Sequence, residues 1–228
     1  MSYAAAWAAY WITAAAHLTF QLLGLPTAAA ISQVLLVPCL IVAVATSRTH
    51  SSPLRNWMLA ALFFSWVGDA LPKLLPPSAE IYAMIGGFFV AQLCWMIGLW
   101  RLRERSLIMT ARWQLPIYLI AGMVLIGILV PTAGVLVPAV AAYGVVVIAM
   151  AVLASGLGRI GQLGGIIFLI SDALIAFDRF APWLDIPLAG PAIMATYILA
   201  QALLVTATLR YLRNRPARSR ATATTLRR

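Results

Sequence analysis

Apolar residues fill this chain in blocks of roughly 20, the length that one membrane-crossing helix needs, and clusters of Gly, Pro and Arg divide the blocks. The pattern predicts helices over 4–23, 28–46, 57–71, 80–100, 113–130, 134–153, 160–180 and 189–211. The breakers have physical sense. They are Gly24 with Pro26, Arg48 to Pro53, Pro72 with Pro76 and Pro77, Arg101 to Arg112, Pro131 to Gly134, Ser155 to Arg159, and Pro182 to Pro191.

Composition sharpens this reading. In 228 residues, 63% hydrophobic and 10% charged, there is more apolar side chain than a soluble core of that size buries. The expected fold class is therefore all-α, a polytopic membrane bundle of about eight transmembrane helices. Residues 1–211 form one helical membrane domain, and 212–228 form a basic, disordered cytoplasmic tail. No basic segment precedes the first apolar run and no small-residue cleavage site follows it, so that run is expected to be a mature helix.

A formal charge of +10 would suit nucleic acid, but the basic residues lie between apolar spans and in the tail, so no nucleic-acid partner is expected. They instead report orientation. With both termini cytoplasmic, fourteen fall inside: Arg48, Arg55, Arg101, Arg103, Arg105, Arg112, Arg159 and the seven arginines from Arg210 to Arg228. Lys73 and Arg179 fall outside. That asymmetry supports an even number of spans, in the cytoplasmic membrane of a bacterium. Cys39 and Cys94 sit within apolar runs without metal-like spacing to a histidine, and no metal or cofactor is expected.

A weak internal repeat links the two halves. Phe64, Ser65, Asp69, Ala70 and Leu71 echo Phe168, Ser171, Asp172, Ala173 and Leu174; Ala91 and Gln92 echo Ala200 and Gln201. Two parallel four-helix repeats would produce it, since four crossings return the chain to the same face.

Asp69 and Asp172 carry the most chemistry. A carboxylate at mid-helix costs about 2.5–3.5 kcal/mol on insertion scales. Each lies twelve residues beyond the start of its predicted helix, about 18 Å along the axis. At one depth they could face each other, and two carboxyl groups in a poorly solvated pocket tend to share a proton, giving an acid beside a base. The bland alternative pairs Asp69 with Lys73 one turn on and lets Asp172 bond a neighbouring helix.

Gln92, Tyr143, Tyr197 and Gln201 lie near the same level, either lining that cavity or joining helices. Lys73 and Arg179 follow the aspartates by one or two turns; they would hold a phosphate headgroup or snorkel to the interface. Asp178 and Asp185 read as a solvated helix end. Gly86, Gly87, Gly161, Gly164 and Gly165 read as close-packing positions, and His17 and His50 receive no role.

These motifs resemble the YhhN-like lysoplasmalogenase family of polytopic membrane proteins. Phe64-Ser65-Trp66-Val67-Gly68-Asp69-Ala70-Leu71 is similar to the family's F-S-x-x-G-D-x-x-L block. In Gly165 to Phe180, the residues Phe168, Ser171, Asp172, Leu174 and Phe180 look like its G-x-x-x-F-x-x-S-D-x-x-x-x-x-x-x-F block, and Tyr197 to Gln201 look like its Y-x-x-A-Q. The chain departs where the family tends to have a histidine and then a tyrosine, with Gln92 and Trp95, and where a lysine often precedes a proline, with Val37 before Pro38.

The resemblance implies hydrolysis of the vinyl ether bond of a lysoplasmalogen, with Asp69 and Asp172 as acid and base and a lysophospholipid as substrate among membrane lipids. Tyr143, Tyr197, Gln92 and Gln201 would orient water or the glycerol hydroxyl. The competing class is a non-enzymatic lipid-binding protein or a proton- or cation-coupled carrier.

Overall fold

A computed structural model describes residues 1–181 and 183–214; Pro182 and residues 215–228 of the expected tail lie outside them. Among the described residues the chain is helical throughout, without strands. The helices are α1 (Tyr3–Leu22), α2 (Pro26–Ala45), α3 (Pro53–Ala70), α4 (Pro77–Leu99), the single turn α5 (Leu107–Thr110), α6 (Leu115–Ala133), α7 (Val137–Ala154), α8 (Arg159–Phe180) and α9 (Ala189–Asn214).

Eight of these are long, and they follow the apolar blocks. The differences have local causes. α3 begins at Pro53, four residues before its predicted start, because Ser52 caps it by accepting from the Arg55 N–H at 3.2 Å; a proline in the first turn loses no helical bond. The twelve-residue count that put the aspartates at one depth therefore fails for Asp69. α4 likewise starts at Pro77, and α6 runs through the expected breaker Pro131 to Ala133, stopping where Gly134 takes φ of +52°. α9 continues to Asn214, past the expected boundary at 211.

Five helical stretches among the described residues are long and apolar enough to cross a membrane: Pro26–Ala45, Pro77–Thr110, Arg112–Leu157, Arg159–Phe180 and Ala189–Asn214. The third contains both α6 and α7. α1 and α3 fall short of the same standard: polar side chains such as His17 and Gln21 interrupt the first, and Arg55, Asn56 and Asp69 the second. The chain is an integral, multi-pass membrane protein.

The closest helix pairs are α3 with α4, α8 with α9, and α1 with α2, and α9 reaches across to α1, α2 and α3. Small residues permit the approach. A Cβ on Gly87 would lie 2.7 Å from the Gly68 backbone, and one on Gly165 2.8 Å from Ala151 Cα. Gly161 and Gly164 are similarly crowded. Gly86 is not: nothing lies within 4 Å of a Cβ built there, so its expected packing role is corrected. Trp95, Phe168, Met58, Leu62 and Leu204 fill the core where these helices converge.

A proline inside α2 has been turned into an anchor. Pro38 has no N–H to offer the carbonyl four residues earlier, and the Trp66 indole N–H donates to that Val34 oxygen at 3.1 Å. In a membrane interior, where a stranded carbonyl has no water, this bond sets α3 against α2 beside Asp69. At one end of the bundle the Leu107 N–H donates to Ser155 Oγ at 2.9 Å, and the Arg105 guanidinium lies 5.4 Å from the Tyr211 ring centroid. At the other end the Thr132 hydroxyl donates to the Phe180 carbonyl.

Candidate active site

Asp69 stands at the end of α3, in the last turn before the chain enters a short 3-10 turn, Leu71–Leu74. It is buried, at 3% exposure, and both carboxylate oxygens are used. Gln33 Nε2 on α2 donates to Oδ1 at 2.8 Å and the Tyr197 hydroxyl on α9 donates to Oδ2 at 2.8 Å. The other end of Gln33 accepts from Lys73 Nζ at 2.9 Å. Among the described residues the ion pairs are Arg103–Glu104 and Arg179–Glu80. Asp69 and Lys73 thus do not pair directly, as the bland alternative required; the Gln33 amide relays between carboxylate and ammonium.

Tyr197 is itself held. Gln201, one turn on, donates to the Tyr197 oxygen at 3.3 Å and to Ser65 Oγ on α3 at 3.1 Å. Phe88 and Phe168 pack edge-on against the Tyr197 ring, with centroids 5.7 and 5.9 Å away. Two aromatic contacts to the ring and two hydrogen-bond partners leave that hydroxyl little freedom.

Asp172 sits differently. It is half-buried on α8 and accepts one hydrogen bond, from the Tyr143 hydroxyl on α7 at 2.9 Å. This does bond a neighbouring helix, and the adjacent Ser171 pins α8 to α9 by donating to the Ile193 carbonyl at 3.1 Å. Gln92 is fully buried, with its amide beside the Tyr143 hydroxyl.

Both aspartates wall one cavity of about 220 Å³ enclosed by α1, α2, α3, α4, α8 and α9. Its apolar wall includes Met84, Phe88 and Met194, and Gln33 and Tyr197 reach it from the Asp69 side. Charged groups gather around it: Lys73, Glu80, Asp178 and Arg179, with Arg179 Nη2 3.3 Å from Glu80 Oε1. Asp178, exposed near the end of α8 as expected, also lines this cavity.

The sequence matches the YhhN family over residues 28–208. The chain belongs to that family. Gln33, Asp69, Tyr143, Asp172, Tyr197 and Gln201 all fall within the matched span of this YhhN-family protein. It is also 36% identical, over 158 residues, to lysoplasmalogenase TMEM86B of Rattus norvegicus, a match covering 68% of this chain and 63% of the rat protein. The aligned region is thus less than two thirds of that relative's length. No solved structure matches.

The YhhN-family site holds residues that motif reading passed over. Gln33 is the foremost, then Glu80 and Gln21, whose buried Oε1 has no partner and which also walls the cavity. A lone glutamine in the apolar run of α2 was a usable signal, because a polar group buried there needs a partner. His17, given no role from sequence, joins α1 to α2 through Nδ1, 3.0 Å from both the Ala29 carbonyl and Ser32 Oγ.

Proposed function

We propose that this protein is a membrane-embedded hydrolase that cleaves the vinyl ether bond of lysoplasmalogen-like lysophospholipids, releasing a fatty aldehyde and a glycerophospho-base. The observation that carries the reading is that two carboxyl groups more than a hundred residues apart in sequence wall one cavity, with Lys73 and Arg179 on the same wall for a phosphate. Membership of the YhhN family and the name of the rat relative support the same chemistry.

The unequal surroundings of the two aspartates support different roles for them. Two donated hydrogen bonds, with an ammonium behind one of them, favour the ionised form of a carboxylate, which makes Asp69 the anionic partner. Asp172, with one donor and apolar neighbours, is the acid. Its proton goes to the vinyl ether β-carbon, and the resulting oxocarbenium ion is stabilised by the Asp69 carboxylate. Water adds at the α-carbon and gives up a proton to a carboxylate. The hemiacetal then collapses to the aldehyde: its hydroxyl gives a proton to the ionised carboxylate while the departing glycerol oxygen takes one from the protonated carboxyl, so the pair again holds one proton. Tyr197 and Gln201 hold Asp69 in place, and Tyr143, with Gln92 beside it, orients Asp172.

All eight long helices cross the membrane in this reading, α1 and α3 being carried by their packing against α2 and α4. Both termini are cytoplasmic, on the side of the arginine-rich loops. The two halves are parallel repeats: Asp69 and Asp172 each accept from the preceding long helix, Gln33 on α2 and Tyr143 on α7. The decisive experiment is aldehyde release from a lysoplasmalogen by purified protein in detergent. An enzyme turns over there; a carrier or lipid-binding protein does not.

A further inference from the structure

An apolar groove of about 610 Å³ runs between α6, α7 and α8, walled by side chains such as Leu125, Val147, Ile148, Ile166 and Leu169. We infer that this groove is the binding site for the alkenyl chain of the lysolipid, entered past Asp172. The inference rests on the proposed function and adds the chain subsite to it.

Continuity carries the assignment. Asp172 walls the groove, the charged cavity and a smaller cavity of about 60 Å³ between them. The small cavity shares Met84 and Phe88 with the charged side, and Val140 and Tyr143 with the groove. An amphiphile laid along this path meets Lys73 and Arg179 with its phosphate, the aspartates with its ether, and apolar walls with its chain. Along α8, Arg179 lies seven residues beyond Asp172, whereas the groove runs back ten residues to Gln162, about 15 Å at the helical rise. At that far end Gln162 Nε2 donates to Gln114 Oε1 at 3.3 Å, placing a polar stop where a long chain would finish.

Two positions set the length of the groove. Ile166 is half-buried in its wall, six residues before Asp172. A side chain added at Gly144 meets first the tip of Ile126, at 4.0 Å, so it enters the groove without striking backbone.

The test measures kcat/KM for aldehyde release over a series of 1-alkenyl lysophospholipids with one headgroup and increasing chain length, for wild type, Ile166→Trp, Ile166→Ala and Gly144→Leu. Ile166→Trp and Gly144→Leu should lower kcat/KM for the longest chains by about 10-fold or more, the discrimination an apolar pocket achieves, while sparing the shortest. Ile166→Ala should shift the preference toward longer chains, and it keeps the test open if a bulkier variant fails to fold. An active wild type whose chain-length profile the folded variants leave unmoved, or scale equally at all lengths, would overturn the groove assignment and mark the groove as filled by bilayer lipid. No aldehyde from the wild type at any length would instead overturn the proposed function, and this subsite with it.

Discussion

The two aspartates occupy matching motifs and wall the same cavity, but one is clamped and the other is open. Asp69 is buried between α2, α3 and α9, bonded on both oxygens and backed by the Gln33–Lys73 relay. Asp172 accepts from Tyr143 and faces three cavities, one of them the apolar groove between α6, α7 and α8. The difference teaches a division of labour. A fixed charge is best held by preorganised donors, whereas a proton donor has to meet the substrate carbon and so needs open space beside it.

The largest effect should come from breaking the pair itself. Asp69→Asn and Asp172→Asn should each lower aldehyde release by the ~10²–10⁴-fold typical of a lost acid or base. Thermal stability in detergent should change little for Asp172→Asn, since a neutral amide is cheaper to bury than a carboxylate, whereas Asp69→Asn turns one of two used acceptors into a donor and should cost about 1.5–3 kcal/mol. Collapse of the fold in both variants would return the aspartates to a structural role.

Next comes the packing that holds the clamped side. Gly87→Ala drives a methyl group into the Gly68 backbone next to Asp69, and overpacking of this kind costs about 1–3 kcal/mol. Its neighbour is the control: Gly86→Ala meets open space and should be neutral or gain a few tenths of a kcal/mol from helix propensity. Unfolding of the two variants side by side in detergent checks the contrast.

A smaller difference sharpens the assignment of charge. Tyr197→Phe removes a hydrogen bond to the carboxylate taken as ionised, worth about 1.5–3 kcal/mol, and Tyr143→Phe removes one to the carboxyl taken as neutral, worth about 0.5–1.5 kcal/mol. Tyr197→Phe should therefore be the more destabilising in thermal unfolding. The reverse order would exchange the roles of Asp69 and Asp172.

Much of the bundle was legible because lipid imposes a coarse rule: long apolar runs, ended by proline, glycine or arginine. The eight long helices follow those runs. The rule fails where a helix opens on polar residues, as α3 does with Pro53-Leu54-Arg55-Asn56 and α4 with Pro77-Ser78-Ala79-Glu80, because a proline in the first turn starts a helix as readily as it ends one. It fails again at Pro131, which the end of α6 tolerates. The aspartates, Tyr143, Tyr197 and Gln201 stand out by type and motif. Gln33 did not, since its importance lies in contacts made 36 and 40 residues away, and the relay it forms replaces the direct Asp69–Lys73 pair that sequence spacing suggested.

The most direct test of the central claim, that Asp69 and Asp172 work as one acid–base unit, is the rate of aldehyde release by the Asp69→Asn/Asp172→Asn double variant set against the two single variants. Groups acting as a unit are strongly non-additive, so the double variant should be scarcely slower than the slower single one. Single losses that multiply in the double variant, or near-normal turnover in either single variant, would contradict the pair.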